Sequence, residues 1–144
     1  MTNLSAQVAL SFDGLDDYVE TSIAGPQGNA DRTVECWFRT SNGMAAQQVL
    51  VDWGSMSPLG QRFTLNYIYN GLLRIEVGGN GFNSTAVVND GNWHHVAVSY
   101  DNSASLKACL YIDGVLDQCN NFTQVVNTSN TMPIQIGRRI DLAK

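Results

Sequence analysis

The chain of 144 residues carries little charge, and basic residues are the scarcest part of it. Charged residues make up 15% of the sequence, and 8 lysines and arginines stand against 13 aspartates and glutamates. The basic residues form no run longer than Arg138-Arg139. Nucleic-acid binding depends on lysines and arginines that neutralise phosphates, so the composition argues against a nucleic-acid partner.

Long apolar runs and targeting segments are also missing. No stretch approaches the ~20 apolar residues that a membrane-spanning helix needs, which argues against a membrane protein. Residues 1–6 lack the charged and apolar regions of a secretory signal. Hydrophobic residues still make up 44% of the chain, enough to bury a core, and the length favours one domain over residues 1–144.

Histidines and cysteines are few, which limits metal and nucleophilic chemistry. The two histidines, His94 and His95, are adjacent, and neighbouring strand residues face opposite sides, so they cannot jointly bind one ion. No Gly-x-Ser-x-Gly motif and no third group suited to a Cys–His pair occur. We therefore predict a structural role for the histidines. The three cysteines are an odd number, so at least one is free or pairs between chains.

Short runs of alternating apolar residues, separated by Gly, Asn, Asp and Ser, dominate what is present. This pattern predicts an all-β fold of the sandwich or barrel type. The predicted strands cover residues 9–12, 18–20, 32–39, 48–53, 62–69, 72–77, 84–87, 93–100, 106–112, 115–120 and 134–137.

The first hairpin that can be argued in detail surrounds Asn70-Gly71. A two-residue turn places the apolar residues before it on the face opposite those after it, whereas a three-residue loop, Tyr69-Asn70-Gly71, places Leu65 opposite Ile75. Because a one-residue shift moves every side chain to the other face, burial favours the three-residue loop. It also predicts Gly71 in the left-handed conformation, as a bulge glycine.

A second hairpin turns at Asp113-Gly114 and relates two of the cysteines. A two-residue turn places Cys109 and Cys119 on opposite faces, and a three-residue loop places them on one face but diagonally, at roughly 7–8 Å. Disulfides prefer Cα separations below about 6.8 Å, so neither register favours a bridge. The cysteines, with Cys36, are therefore predicted to be small, buried or half-buried hydrophobic residues.

Several segments together resemble the laminin G-like, concanavalin A-like jelly-roll family. They are the opening run from Ala9 to Glu20, Asp90-Gly91-Asn92-Trp93-His94-His95, the Asp-Gly turn after Leu110-Tyr111-Ile112, and Ile134-Gln135-Ile136-Gly137-Arg138. The resemblance implies two antiparallel sheets packed as a jelly-roll sandwich. It also implies a non-catalytic recognition role, in a protein that works outside the cell or at its surface.

The chain departs from the family pattern after Arg139. Members of the family usually continue into a last strand that pairs near the first, but here only Ile140-Asp141-Leu142 follows before the end of the sequence. This strand is either shortened or missing. Because an unpaired sheet edge promotes association, a homodimer or a protein-interaction module is the alternative to ligand binding.

Catalysis by paired carboxylates is not expected. Glucanases of this architecture carry a Glu-x-Asp-x-x-Glu pattern that sets its carboxylates on one face of a strand, and no such pattern occurs here. Glu35 and Glu76 are each isolated on their strands, and Asp16-Asp17 are turn neighbours predicted to point in different directions. The sequence therefore predicts a binding protein that is not an enzyme.

Calcium is the one cofactor that the resemblance implies. Family members often hold a structural Ca²⁺ near the first and last strands through carboxylate and backbone oxygens, the ligands that calcium prefers. The matching positions are Asp13 and Asp141, with a carbonyl from Gly14.

Carbohydrate is the ligand class that the loops favour. Sugar sites combine an aromatic surface with a few polar groups, and Trp53 and Phe82 lie in or beside polar, glycine-containing loops. The polar loop favours a binding role for Phe82, whereas Trp53 fits a core position as well as a binding surface. By contrast, the patterned strands predict core positions for Trp37, Trp93 and Tyr100. The full set of predicted ligand-binding residues is Trp53, Tyr69, Asn70, Arg74, Phe82 and Asn83.

Overall fold

The computed structural model describes residues 8–41, 43 and 47–139, which form β-strands joined by turns and loops and one short 3-10 turn, Tyr69–Gly71. No helix in this part of the chain is long and apolar enough to cross a bilayer. The strands are β1 Val19–Glu20, β2 Arg32–Arg39, β3 Gln48–Gly54, β4 Arg62–Ile68, β5 Leu72–Val77, β6 Asn80–Val87, β7 Trp93–Tyr100, β8 Ala108–Ile112, β9 Val115–Asn120 and β10 Met132–Ile136.

The strands form two antiparallel sheets that pack face to face. One sheet has six strands in the order β1-β10-β3-β4-β5-β6, and the other has four in the order β2-β7-β8-β9. Alternating apolar residues point between the sheets, which confirms the predicted all-β sandwich. The core between the sheets includes Phe63, Leu65, Leu73, Ile75, Val96, Val98 and Leu110.

Most predicted strands begin and end close to where the structure has them, and β2, β5, β7 and β9 agree residue for residue. The predicted strand over residues 9–12 is wrong: this segment lies outside both sheets, and Leu10 is exposed. The sheet edge belongs to β1, which pairs with β10. The predicted last strand, over residues 140–142, lies outside the described residues.

The first hairpin has the predicted register. Leu65 lies opposite Ile75 across β4 and β5, and both are buried in the core. Gly71 is left-handed, with φ of 77°, and an added Cβ would overlap the side chain of Asn89, so only glycine fits. Asn70 is left-handed as well, with φ of 67°.

The second hairpin corrects the prediction for the cysteines. The two-residue turn is present, but the register shifts after Leu110, so that Asp117 is an extra residue and Cys119 lies directly opposite Cys109. Their Cα atoms are 4.0 Å apart and the two cysteines form a disulfide. The expectation of unbridged cysteines was wrong because it assumed regular pairing of the two strands, without the extra residue that brings Cys119 opposite Cys109.

The bulged residue links the two sheets. The Asp117 carboxylate accepts hydrogen bonds from the Thr85 amide (2.8 Å), the Thr85 hydroxyl (2.7 Å) and the Ala86 amide (2.9 Å). Thr85 and Ala86 belong to β6, so the bonds join the edge strands of both sheets. Burial raises the pKa of Asp117, but the bonds from Thr85 and Ala86 outweigh it and leave the pKa below its usual range.

Cys36 is a free thiol, which confirms that at least one cysteine is unpaired. It is half-buried against the core, and burial raises the pKa of the thiol to about 11. The side chain therefore stays protonated at neutral pH and behaves as a small hydrophobic residue.

Removing the disulfide should destabilise the domain measurably. The bridge closes a loop with a sequence separation of 10, and a loop of this size contributes about 3 kcal/mol by restricting the unfolded chain. We expect Cys109→Ala/Cys119→Ala to lower the free energy of unfolding by about that amount in urea denaturation. Cys36→Ala, which leaves the bridge intact, is the control, and an unchanged double variant would contradict the prediction.

Candidate functional site

The outer face of the four-stranded sheet carries exposed aromatic side chains. Val34, Cys36 and Phe38 of β2 point towards the core, so Trp37 points outwards and is 64% exposed. On the neighbouring strand β7, Trp93 is 46% exposed. We call the surface formed by Trp37, Trp93, His95 and Tyr111 the aromatic platform.

The remaining members of the aromatic platform lie beside the tryptophans. His95 lies opposite Trp37, with the ring centroids 5.3 Å apart. Tyr111 of β8 is half-buried and points outwards, because its neighbours Leu110 and Ile112 point into the core. The result is a broad apolar surface that spans three strands.

Charged groups border the aromatic platform on two sides. The guanidinium of Arg39 stacks over the Trp93 ring at 5.4 Å from its centroid. The Glu35 carboxylate lies 3.8 Å from Nε2 of His95. A polar depression of about 410 Å³ continues past Arg39 and is lined by Arg39, Thr40, Ser41 and Gly91. The surface therefore combines flat rings with hydrogen-bonding groups of both charges.

The prediction that Trp37 and Trp93 belong to the core was wrong, whereas Tyr100 is buried as predicted. The signal for Trp37 was present in the sequence, because strict alternation with Val34, Cys36 and Phe38 places it on the other face. Exposed tryptophans on one sheet face are uncommon enough to indicate a binding surface.

Trp53 and Phe82 are buried, so the predicted aromatic surfaces of the loops do not form. Trp53 is 1% exposed, its ring lies 4.9 Å from that of Phe63, and its Nε1–H donates to the Pro26 carbonyl at 3.1 Å. A Cβ at Gly25 would overlap the indole, which shows how closely the chain passes over it. Phe82 is 8% exposed and packs against Phe122, with ring centroids 6.0 Å apart.

The other predicted ligand-binding residues fall into two places. Tyr69 and Asn70 are exposed on the turn between β4 and β5. Arg74 and Asn83 lie opposite each other on β5 and β6, and Nη1 of Arg74 donates to Oδ1 of Asn83 at 3.0 Å. The structure therefore brings Arg74 and Asn83 together but separates them from Trp53, which is buried between the sheets.

A buried ion-pair network lies on the outer face of the six-stranded sheet, and the sequence did not predict it. Nε of Arg62 lies 3.2 Å from Oδ1 of Asp52. Nη2 of the same side chain lies 3.5 Å from Oε1 of Glu76. Thr64 accepts from Arg62 and donates to Asp52. Glu76 is thus not isolated. Asp52 and Arg62 are fully buried, so removing one partner would leave an uncompensated buried charge and destabilise the fold.

His94 connects two turns, which supports the structural role predicted for it. Its Nδ1 lies 2.8 Å from Oδ2 of Asp113, and its Nε2 lies 3.1 Å from Oδ1 of Asp90. The amide of His95 also donates to Asp113, at 2.9 Å. Because a neutral imidazole has only one N–H, both ring nitrogens can donate only when His94 is protonated.

These hydrogen bonds shift the pKa values of His94, Asp113 and Asp90. The hydrogen bond to Asp113, assisted by that to Asp90, raises the pKa of His94 despite partial burial. The hydrogen bond from His94 and the amide of His95 lower the pKa of Asp113. Hydrogen bonds from Asn92, followed by that from His94, lower the pKa of Asp90.

A pH dependence of stability follows from these shifts. The contribution of His94 to the free energy of unfolding is complete below its unfolded-state pKa of about 6.5. It is lost as the pH rises through the higher pKa that His94 has in the folded state. The contributions of Asp90 and Asp113 are present above about pH 3.9 and are lost as the pH falls through their folded-state values. We expect His94→Gln to remove the decline on the alkaline side in urea midpoints measured across this range. An unchanged alkaline slope in the variant would refute this assignment.

An exposed acidic turn lies before β1. Carboxylate oxygens of Asp13, Asp16 and Asp17 all lie within 4.8 Å of one another, so the prediction that Asp16 and Asp17 point in different directions was wrong. The amide of Asp13 donates to Asp17 at 3.1 Å, which folds the turn back on itself. Gly14 lies within the turn, whereas Asp141 is outside the described residues.

Comparisons with known proteins agree with this architecture. A similar fold occurs in a proposed carbohydrate-binding protein from Bacteroides ovatus, with a TM-score of 0.67, 17% identity and 87% of this chain covered. The CBM40 domain of the Ruminococcus gnavus IT-sialidase, bound to α2,3-sialyllactose, has a similar fold with a TM-score of 0.61 and 16% identity. The match covers 87% of this chain and 79% of the CBM40 chain. Domains LG4-5 of the mouse laminin α1 chain match with a TM-score of 0.59, 15% identity and 88% of this chain covered.

The chain spans only 36% of the Bacteroides ovatus protein and 34% of the laminin fragment. No curated protein sequence matches it significantly. One family model, described as the Concanavalin A-like lectin/glucanases superfamily and named Laminin_G_3, matches residues 12–143. Because this match extends over most of the sequence, the chain belongs to that family.

Proposed function

We propose that this protein is a non-catalytic carbohydrate-binding domain whose ligand lies on the aromatic platform. The observation that carries the proposal is the exposure of Trp37 and Trp93 on an open sheet face. Similarity in fold to a sialyllactose-bound carbohydrate-binding domain supports the ligand class. The proposed site departs from the six-residue set predicted from the sequence, because Trp53 and Phe82 of that set are buried.

The chemistry of the platform suits a glycan chain. The C–H faces of sugar rings pack on aromatic rings, and Trp37 and Trp93 offer two such rings on adjacent strands. Trp93 lies opposite Arg39 and Trp37 lies opposite His95, so the two tryptophans are diagonal neighbours at roughly 7–8 Å. Two rings at this spacing on a flat surface favour successive units of an extended chain over a single enclosed sugar.

The border of the platform supplies the polar contacts. Arg39 donates hydrogen bonds, Glu35 accepts them, and the two ring nitrogens of a neutral His95 provide one donor and one acceptor. A hydroxyl group also donates and accepts, so it can bond with each of these side chains. Rings that hold the sugar faces and polar groups that fix the hydroxyls form the usual combination of a sugar site.

The proposal is tested with soluble polysaccharides in affinity gel electrophoresis, followed by calorimetry on those that retard the protein. We expect Trp37→Ala to weaken binding about 30-fold, because a central aromatic anchor contributes about 2 kcal/mol. The matched control is Tyr69→Ala, which removes an exposed aromatic ring outside the platform. Equal binding by wild type and Trp37→Ala would overturn the proposed site.

The disulfide supports a location outside the cytosol. Disulfides persist in oxidising compartments and are rare in reducing ones, and the Cys109–Cys119 bridge joins neighbouring strands of the sheet that carries the platform. We therefore propose that the domain works outside the cell or at a cell surface, as glycan recognition there requires.

Calcium binding stays a prediction, with an altered set of ligands. Asp13, Asp16 and Asp17 provide clustered carboxylate oxygens, which are the hard ligands that calcium prefers. The thermal midpoint in calcium and in chelator tests it, with Asp13→Asn as the variant and Asp117→Asn, a carboxylate elsewhere, as the control. An equal midpoint in both solutions would oppose a structural ion.

The homodimer also stays a prediction. It was inferred from an unpaired edge near the first and last strands, where the described part of the sheet ends in the two residues of β1. Sedimentation equilibrium of the full chain tests it. A monomer at high concentration would refute it without affecting the carbohydrate proposal.

A further inference from the structure

We infer that a second sugar-binding site, for an uncharged hexose unit, lies in a cleft at one end of the sandwich. The cleft holds about 340 Å³ and opens between the loops over residues 101–107 and 121–126. We call it the amide cleft and define it by Tyr100, Asn102, Lys107, Phe122 and Gln124. Its ligand class rests on the proposed function, but its residues are separate from the aromatic platform.

The ring of Phe122 forms the apolar wall of the amide cleft, and the buried Tyr100 supports it. The ring of Phe122 lies 6.4 Å from that of Tyr100, 6.0 Å from Phe82 and 6.5 Å from Phe63, measured between centroids. Phe122 is therefore backed by the core on one side and remains half-buried at the cleft. A ring fixed in this way offers a rigid surface to the C–H face of a sugar.

Polar groups that keep unused hydrogen-bonding capacity also line the cleft. Oδ1 of Asn102 accepts from the Tyr100 hydroxyl at 3.1 Å and from Nζ of Lys107 at 3.0 Å. Nδ2 of the Asn102 side chain has no hydrogen-bond partner among the described residues, and neither has the side-chain amide of Gln124. Lys107 keeps two further N–H donors. These groups can bond to hydroxyls that enter the cleft.

Hydrogen bonds between the loops hold the cleft open in this shape. The side chain of Asn121 accepts from the amide of Lys107 at 3.0 Å and donates to the carbonyl of Ser105 at 2.9 Å. The amide of Thr123 donates to Oδ1 of Asn80 at 2.7 Å. Because the protein already fixes these loops, a ligand would lose little free energy in ordering them.

The charges around the cleft favour a neutral ligand. Lys107 is the one charged side chain among the described residues that line it. Two carboxylates lie close behind: Asp31 accepts from the amide of Asn102 at 2.8 Å, and Asp101 interacts electrostatically with Lys107. Arg32, whose guanidinium lies 5.6 Å from the centroid of the Tyr100 ring, adds a second positive charge, so two positive and two negative groups balance. This balance would weaken the binding of a sugar acid. Side-chain amides both donate and accept hydrogen bonds, as hydroxyls do. The hydroxyls of a neutral hexose can therefore bond to both the donors and the acceptors that line the cleft.

The test measures binding of glucose, galactose, mannose and lactose to the full chain by saturation-transfer NMR and calorimetry. Lys107→Met and Gln124→Ala keep the aromatic wall, and Phe122→Leu is added if its thermal midpoint matches wild type. We expect at least one of these sugars to bind wild type and Trp37→Ala alike, and at least tenfold more weakly to the cleft variants.

Three results would overturn the inference. The cleft variants could bind the hexose as wild type does, Trp37→Ala could abolish hexose binding, or glucuronate could bind more tightly than every neutral sugar. Unchanged hexose binding by the cleft variants, together with polysaccharide binding that is lost in Trp37→Ala, would show that the proposed function stands although the cleft fails. If the wild-type protein bound neither polysaccharides nor hexoses, both proposals would be refuted.

Discussion

Replacing Trp53 by alanine is expected to lower the free energy of unfolding by about 3–5 kcal/mol. The indole is 1% exposed, packs on Phe63 and donates its N–H to the Pro26 carbonyl. Truncation would leave a cavity between the sheets and remove one of the hydrogen bonds that the Pro26 carbonyl accepts, although Arg32 and Thr128 would still donate to it. Urea denaturation followed by circular dichroism gives the difference directly.

Trp37→Ala is the matched control for this prediction, since it makes the same chemical change on the outer face. Surface substitutions usually change stability by less than about 0.5 kcal/mol, so this variant should unfold close to wild type. Glycan binding should show the opposite order, with Trp37→Ala impaired and Trp53→Phe, which keeps a ring in the core, close to wild type. A loss of less than about 1 kcal/mol in Trp53→Ala would contradict the burial of the indole.

The largest expected effect on binding belongs to the double variant Trp37→Ala/Trp93→Ala. If each ring contributes about 2 kcal/mol to binding, removing both should weaken it by roughly 10²–10³-fold, with coupling between neighbouring rings setting the exact value. Calorimetry with a polysaccharide that wild type binds measures the change. The thermal midpoint should stay near that of wild type, because both rings lie on the surface.

A conservative double variant separates ring stacking from a structural role. Trp37→Phe/Trp93→Phe keeps two flat aromatic rings on the platform and should recover part of the lost affinity. Equal loss in the alanine and phenylalanine variants would indicate that the tryptophans act through their N–H groups or through the strand. Full binding by the alanine variant would place the glycan elsewhere.

The all-β class could be predicted from the alternation of apolar residues, and the two-sheet sandwich was implied by the family resemblance. The burial of Leu65 and Ile75 on one face was sufficient to choose the register of the first hairpin. The bulge at Asp117 could not be predicted in this way. Its carboxylate bonds to Thr85 on the other sheet, and a pairing rule applied to one hairpin contains no information about that contact.

The candidate site could be predicted only in part. Trp37 could have been placed on the outer face by the argument from alternation, but it was assigned to the core together with Trp93 and Tyr100 because all three lie in patterned strands. Trp53 is followed by a polar loop that suggests exposure, yet the segment at Pro26, 27 residues earlier, covers it. The environment of a side chain depends on such distant segments, so local composition misplaced both residues.

The buried charges show the same limit. Asp52, Arg62 and Glu76 belong to three successive strands, and only the cross-strand register brings them together. Read one strand at a time, Glu76 is isolated. Polar clusters on a sheet face therefore have to be sought across strands once the register is known.

The central claim, that glycans bind on the aromatic platform, can be tested most directly with the indole N–H signals. The protein has three tryptophans, which give three separate signals in a ¹H–¹⁵N spectrum. During titration with a bound oligosaccharide, the signals of Trp37 and Trp93 should shift while that of the buried Trp53 stays in place. Binding that leaves Trp37 and Trp93 unmoved would contradict the account.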